Sequence, residues 1–320
     1  MKKTFLITSA ILAFFCLSCN DEILDPSIVI EQPANNGGNN GGGNNGGGNN
    51  GGNNGGGNNG TALSTYSLDT TSNVPIFGEI IVNTDFIVNS GIVVSANIQA
   101  TVLGATNNSV STITRDGNGR VIQTESMDGG NVTNRTTVTY TGDNITQIVY
   151  DDLGDNTENY TYTFAYSGTI VTRTDAANNQ SAVFTFDSNS QLISKESFTG
   201  TTSTQIEVLT YSNGNCTSST VSGANTGNNV FVYDSFTNPL KSVFNDQFLL
   251  TMFDSENDSE VGSVLATFYA SNNWRRIETN DGNVDFNVTY NANNDITSRD
   301  GNFNLGDGVV ITQSEAFQYQ

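Results

Sequence analysis

The chain has 320 residues, with 11 Lys and Arg against 32 Asp and Glu, a net charge of −21 and no histidine. Without imidazole, a Ser-His-Asp or Cys-His nucleophile and a His-ligated metal are excluded, and so long an excess of carboxylates repels nucleic acid. Thr, Asn, Ser and Gly together with the β-formers Val, Ile, Tyr and Phe dominate, and only 4 prolines occur, which points to an all-β protein.

Residues 1–18 carry two lysines and an apolar run from Phe5 to Leu17, too short to span a bilayer permanently and suited to a secretory leader. Leu17-Ser18-Cys19 at its end resembles the lipobox of bacterial lipoproteins. That resemblance implies cleavage before Cys19 and lipidation of its thiol and amine. At about 0.8 kcal/mol per buried methylene, several acyl chains hold a protein at a membrane without release. Asn20, Asp21 and Glu22 follow, and an acidic pair behind the lipidated cysteine is similar to the surface-export signal of Bacteroidetes-type lipoproteins. The implied address is the outer membrane, facing the exterior.

A lipidated segment at 19–34 leads into residues 35–60, which contain only Asn and Gly. With no apolar side chain to bury, ordering that stretch costs backbone entropy with nothing to offset it, so a disordered tether is expected. Its typical span is roughly 30 Å. Within the polar lead-in that follows, Asp69-Thr70-Thr71 resembles the O-glycosylation signal of Bacteroidetes, which makes Thr70 a candidate modification site.

Residues 61–320 read as one repeat domain. Short β-branched runs at 79–82, 85–88, 91–94 and 96–103 are separated by Asn, Ser and Gly. In the stretch 160–174, Tyr160, Tyr162, Phe164 and Tyr166 fall on every second residue, then Ser167 and Gly168 break the run before Ile170 and Val171. This is a hairpin with four aromatics on one face. Arg115-Asp116-Gly117-Asn118-Gly119-Arg120-Val121 resembles the YD (RHS-type) repeat, whose core is Tyr-Asp-X-X-Gly-Arg-Leu. Variants recur at Tyr140–Ile145, Tyr166–Ile170, Phe186–Leu192, Tyr211–Cys216 and Tyr290–Ile296. Tyr233-Asp234-Ser235-Phe236-Thr237-Asn238-Pro239-Leu240 is similar to a segment of Bacteroidetes lipoproteins of unknown function that carry degenerate copies of the repeat. In each copy the aromatic ends a strand facing the core, Asp or Asn with Gly makes the turn, and an aliphatic residue opens the return strand. Cys216 occupies an aliphatic slot, which suits a packed, inert thiol.

No such hairpin is stable alone, so neighbours must add edge to edge. The expected fold is a single antiparallel meander of about eight hairpin repeats, forming a curved open sheet or half-barrel.

Two stretches interrupt the pattern. Residues 245–262 carry Asp254, Glu256, Asp258 and Glu260 in alternation, to be read either as a solvated acidic edge or loop or as oxygens gathered for calcium. Trp274-Arg275-Arg276 sets the single Trp beside two guanidinium groups, to be read either as a hairpin core residue or as a sugar-stacking patch.

The carboxylates Asp116, Asp143 and Asp187 sit where turn capping explains them. No nucleophile-and-base pattern is legible, and no cofactor or metal is implied. The expected function is a surface-exposed, non-catalytic binding or scaffold module that meets the membrane through the lipid on Cys19. Its partner is a polysaccharide or another surface protein. The alternatives are a glycan-binding accessory of an uptake or adhesion system, contacting sugar through Trp274, Arg275 and Arg276, and a two-carboxylate glycoside hydrolase.

Overall fold

The computed structural model describes residues 62–74, 78–280, 282–306 and 309–320. The expected leader, the lipidated Cys19 and the Asn/Gly tether lie outside these residues.

The described chain is a meander of β1 (Leu63–Val74), β2 (Gly78–Asn89), β3 (Ile92–Val102), β4 (Ala105–Arg115), β5 (Val121–Asp128), β6 (Asn131–Thr141), β7 (Asn144–Asp152), β8 (Tyr160–Ser167), β9 (Ile170–Asp175) and β10 (Gln180–Phe186). It continues through β11 (Leu192–Thr199), β12 (Thr202–Ser212), β13 (Asn215–Gly223), β14 (Gly227–Thr237), β15 (Asn272–Thr279), β16 (Gly282–Asp285), β17 (Asn287–Tyr290), β18 (Ile296–Gly306) and β19 (Val309–Tyr319). Every pairing is antiparallel and joins neighbours in sequence, except that β19 pairs with β1 from Leu63↔Tyr319 to Asn73↔Val310.

The curved meander is as expected, and it runs on past a half-barrel until β19 meets β1, so the sheet is a nearly closed barrel. Phe286 bends one strand into β16, which pairs with β15, and β17, which pairs with β18. Counted as one, these halves give 18 passes around the wall. A closed antiparallel meander needs an even number. The early strands are longer than their sequence signals: 79–82 and 85–88 fuse into β2, and 91–94 and 96–103 into β3.

Side chains alternate across the wall as a period of two requires. On β8, Tyr162 and Phe164 are buried while Thr161, Thr163 and Ala165 are exposed. The outer face is ribbed by polar cross-strand pairs, among them Gln99 Nε2 donating to Asn108 Oδ1 at 2.9 Å and Thr101 against Thr106 at 2.8 Å. Such a face is suited to water, because lipid-facing strands need an apolar band. No helix among the described residues is long and apolar enough to cross a membrane.

Between β14 and β15 the chain leaves the wall and fills the interior with a helical plug. It comprises α1 (Pro239–Phe244), a 3₁₀ turn at Asn245–Gln247, α2 (Phe248–Phe253), a loop, α3 (Gly262–Val264) and a π turn at Leu265–Tyr269. The Asn238 side chain caps α1 by accepting from Leu240 N at 3.0 Å, and Pro239 takes the first helical position, where a missing N–H costs nothing. Phe244 meets Tyr66 and Phe86 at ring distances of 6.4 and 5.3 Å, and Phe253 meets Phe164 and Phe184 at 4.9 and 5.1 Å. The core therefore lies between wall and plug.

Candidate functional site

The repeat motif builds one rim of the barrel. At Arg115–Val121, Asp116 Oδ1 accepts from Asn118 N at 2.9 Å and Arg120 N at 3.0 Å, and Gly119 supplies a φ of +81°. Asp187 repeats this with Asn189 N and Gln191 N, and Asn291 with Asn293 N and Asp295 N. Asp116 and Asp187 are thus turn caps, as expected, whereas Asp143 is exposed and only 3.8 Å from Arg120.

A bulge sits beside the aromatic or its replacement in most copies, between Thr114 and Arg115, Thr139 and Tyr140, Thr185 and Phe186, Thr210 and Tyr211, and Thr289 and Tyr290. Bulges sharpen strand twist, which curls the sheet toward closure.

Five rim tyrosines, four of them in the motif and Tyr319 in the closing strand, also tie their strands to an earlier hairpin, while the motif residue Tyr290 donates to the Asp234 carboxylate. Tyr140 donates to the Val121 carbonyl at 2.8 Å, Tyr166 to Ile145 at 2.9 Å, Tyr211 to Leu192 at 2.8 Å, Tyr233 to Cys216 at 2.5 Å and Tyr319 to Ile296 at 2.8 Å. The acceptor in every case is the residue in the aliphatic slot of the earlier motif. Burial raises these phenols, to about 12 for Tyr140 and Tyr166.

The interior gathers the groups with the most altered chemistry. The plug loop 254–260 is held chiefly through its backbone. Arg173 donates to the Phe253 carbonyl at 2.9 Å and also to that of Ser255, and its guanidinium lies 4.3 Å from the Tyr162 ring. Lys195 Nζ donates to the carbonyls of Glu256 at 2.6 Å and Ser259 at 2.8 Å, and lies 3.0 Å from Ser255 Oγ. Ser197 donates to the Asn257 carbonyl, and Gln205 to that of Asp258 at 2.6 Å. Glu207 accepts from Val261 N at 2.7 Å and Gly262 N at 2.9 Å, capping α3, and takes the Ser219 hydroxyl at 2.5 Å. Burial pulls Lys195 down, helped by Arg173, and raises Glu207. Burial also raises Asp254 to about 6, against its hydrogen bond from Tyr160.

Behind this loop is a cavity of about 40 Å³ lined by Thr124, Thr136, Asp254, Ser255 and Ser259 on its polar side and Leu250, Met252, Val261 and Val264 on the other. It has room for a few water molecules.

A second buried network crosses the closure. Arg299 and Glu315 are fully buried and bonded twice, at 2.8 and 2.5 Å, and Tyr66 and Gln313 complete the Glu315 carboxylate at 2.8 and 2.7 Å.

The expected sites fall differently. The acidic stretch is not a solvated edge: Asp254 accepts from Tyr160, Asp258 from Thr204 and Glu260 from Asn229, so three of its side chains turn to different wall strands while Glu256 is exposed. Among the described residues no three His, Cys, Asp or Glu side chains gather as a metal set.

Trp274 is fully enclosed, with Phe286 at 4.7 Å and Phe231 at 5.7 Å, so no ring face remains for sugar. Arg275 is exposed, and Arg276 pairs with Glu278 and Asp285. Thr70 is an inward-facing, buried residue of β1, closed to a glycosylating enzyme once the barrel has formed. Cys216 is the packed thiol expected, and burial pushes its pKa up.

Arg173, Lys195, Glu207, Arg299 and Glu315 were not singled out by sequence. Their one signal is parity: Arg173 shares its face with Val171, and Glu207 with Leu209.

The chain matches no protein-family model and no curated protein. Among solved structures it is similar to a porin-like protein from Bacteroides uniformis, at 12% identity and a TM-score of 0.46 over 81% of this chain and 97% of that one. A porin-like protein from Bacteroides vulgatus is similar at 10% identity and 0.26, over 81% and 99%. A chain of the TcdB2-TccC3-Cdc42 complex is similar at 11% and 0.25, over 79% and 14%.

Proposed function

We propose that this chain is an outer-membrane lipoprotein, anchored through Cys19 and facing the exterior, that acts as a non-catalytic binding or scaffold module. The observation that carries this is a polar outer wall around a filled interior. A barrel clad in Thr, Ser and Asn gains nothing from lipid and conducts nothing through its centre, so membrane attachment falls to the lipid and partners meet the outside. Gln320 N donates to the Ala62 carbonyl at 2.9 Å, so the chain before residue 62 joins the barrel at the motif rim. An anchor and tether on that side leave the opposite rim presented outward.

The test is Cys19→Ala with membrane fractionation and protease shaving of intact cells. Wild-type protein in the membrane fraction and shaved from outside, with the variant released, is the expected result. A variant that still sediments with membranes rejects the anchor.

Glycan binding is the second reading. It loses Trp274 as a contact, but an open groove on the motif rim, lined by Asp187, Asn189, Gln191, Tyr211 and Asn213, offers the carboxylate, amide and ring chemistry that sugars use. An Asn189→Ala, Asn213→Ala double variant that migrates like wild type on every polysaccharide gel tested would remove this version.

A further inference from the structure

Three exposed valines on the outer wall sit singly among polar partners. Val208 is paired with Ser194 and Thr220, Val232 with Arg276, and Val310 with Asn73 and Asn304. Such scattered residues are ordinary surface and call for no partner. Val110 on β4 differs. It is exposed and pairs with Met127 on β5, which pairs in turn with Val132 on β6. All three face outward, since their neighbours Ser109, Ser111, Ser126 and Asn134 are the buried ones. Beside Val132, the Thr133 carbonyl accepts from Leu153 N at 2.8 Å. With strands about 4.8 Å apart, the four apolar side chains form a stripe roughly 15 Å long, from β4 to the β7–β8 loop, near the rim opposite the motifs.

Leu153 is 55% exposed, and its loop is fixed before anything binds. Asp152 Oδ1 accepts from Gly154 N at 2.7 Å and Asp155 N at 2.9 Å, and Asn159 Oδ1 accepts from Asp152 N at 2.7 Å. A leucine presented on so constrained a loop loses little freedom when it is covered.

The border of the stripe selects what covers it. Glu125, Arg135 and Asp151 are paired in a row across β5, β6 and β7 on the same outer face, and Asp155 and Glu158 are exposed in the loop beyond Leu153. Glu125 already holds the Arg135 guanidinium at 2.7 Å. An aliphatic centre bordered by carboxylates suits a surface of the opposite charge. A second copy would set carboxylates against carboxylates on a chain of net charge −21, and anionic lipid is repelled in the same way. Four aliphatic side chains offer no aromatic face for a sugar.

We propose that Val110, Met127, Val132 and Leu153 are the docking stripe for a protein partner whose apolar surface is edged by Lys and Arg. This names the partner face of the binding module proposed above and rests on that reading. The stripe lies near the rim that the tether leaves facing outward, so an anchored barrel presents it away from its own membrane.

The experiment places a photo-crosslinking residue at Val132 in the full chain, in the cells that produce it, with Thr312 on the far outer wall as control. Expected is one protein joined at 132 and absent at 312. That protein is then purified and titrated against the full chain in detergent. The Val110→Ser, Leu153→Ser double variant should bind it about tenfold more weakly or worse, and raised salt should slow its association. No crosslink at 132, a crosslink to a second copy of this chain, equal crosslinking at 312, or unchanged affinity in the variant each overturns the proposal. Should the double variant fail to fold, Leu153→Ser alone decides by the same titration, because that side chain stands clear of the core. Binding in detergent needs no membrane, so a failed anchor in Cys19→Ala and a failed stripe are read separately.

Discussion

Replacing a motif tyrosine with phenylalanine removes one hydroxyl and leaves the ring that packs the rim. At Tyr211 the lost bond is the 2.8 Å donation to the Leu192 carbonyl, and at Tyr140, Tyr166 and Tyr319 it is the equivalent bond to Val121, Ile145 and Ile296. One such bond contributes about 0.5–1.5 kcal/mol net. Tyr140 and Tyr166 stand two strands apart, roughly 10 Å, and the others are farther, so the losses should add. The quadruple variant is expected to lose about 2–6 kcal/mol at pH 7, read as a lower urea midpoint with an unchanged slope.

The same bonds predict an alkaline limit. Burial holds Tyr140 and Tyr166 near 12, while an unfolded phenol ionises near 10. Their contribution is therefore complete below pH 10 and is lost as pH rises through 12. Phenylalanine has no proton to lose, so the deficit of the quadruple variant should shrink over that window. A variant as stable as wild type at pH 7, or a deficit that widens between pH 10 and 12, would refute the idea that these hydroxyls tie the hairpins together.

Gly262→Ala would set a methyl 2.6 Å from Ser219 Cβ and 3.0 Å from Glu207 Oε1, an overpacking of about 1–3 kcal/mol. The loss should show in thermal melts, and a neutral single variant would contradict the close contact. Arg299→Met strands Glu315 without its buried partner and should cost about 3–5 kcal/mol, whereas Arg299→Met with Glu315→Leu should lose less than the sum of the two single changes in chemical denaturation. Additive losses would deny the pair. The Cys216 thiol should resist thiol reagents in the native protein and label only as fast as the barrel opens, and rapid native labelling would show that it is not packed as described.

Much of the wall was legible because period-two patterning and turn chemistry are local. Tyr160 to Tyr166 gives β8 directly, and Asp116, Asp187 and Asn291 sit in the turn positions their side chains favour. Strand length was harder to read, since Asn83, Thr84 and Ser95 look like breaks in sequence but pair normally within long ladders. The plug was missed although its signals are present. Asn238-Pro239 is a helix start, and Leu240, Val243 and Phe244 follow at helical spacing. Reading Pro239-Leu240 as part of a repeat motif hid them, and helices of six residues give periodicity little room to register. Trp274 fills the core, one of its two readings, whereas Glu260 was misjudged for a physical reason: what faces the lumen of a barrel is indistinguishable by alternation from what faces solvent, until something is known to fill the lumen.

Closure and the plug explain one another. A half-barrel of these hairpins would leave its aromatic face wet and two edges with unpaired N–H and C=O groups, and joining β19 to β1 removes both edges. Closure creates a second demand. About eight strands make a barrel whose own side chains fill the interior, and 18 passes enclose far more space than Tyr66, Phe86, Phe164 and Phe184 can occupy. With a polar outer face, the apolar face has to be satisfied from within. The one long departure from the repeat supplies Phe244, Leu250, Phe253 and Phe268 for this. Its non-helical loop carries the backbone groups that helices would have satisfied internally, and Arg173, Lys195, Ser197, Gln205 and Glu207 satisfy them from the wall. The buried charges thus follow from the size of the ring: a filler that is only partly helical must be met by side chains that can donate to carbonyls and accept from amides.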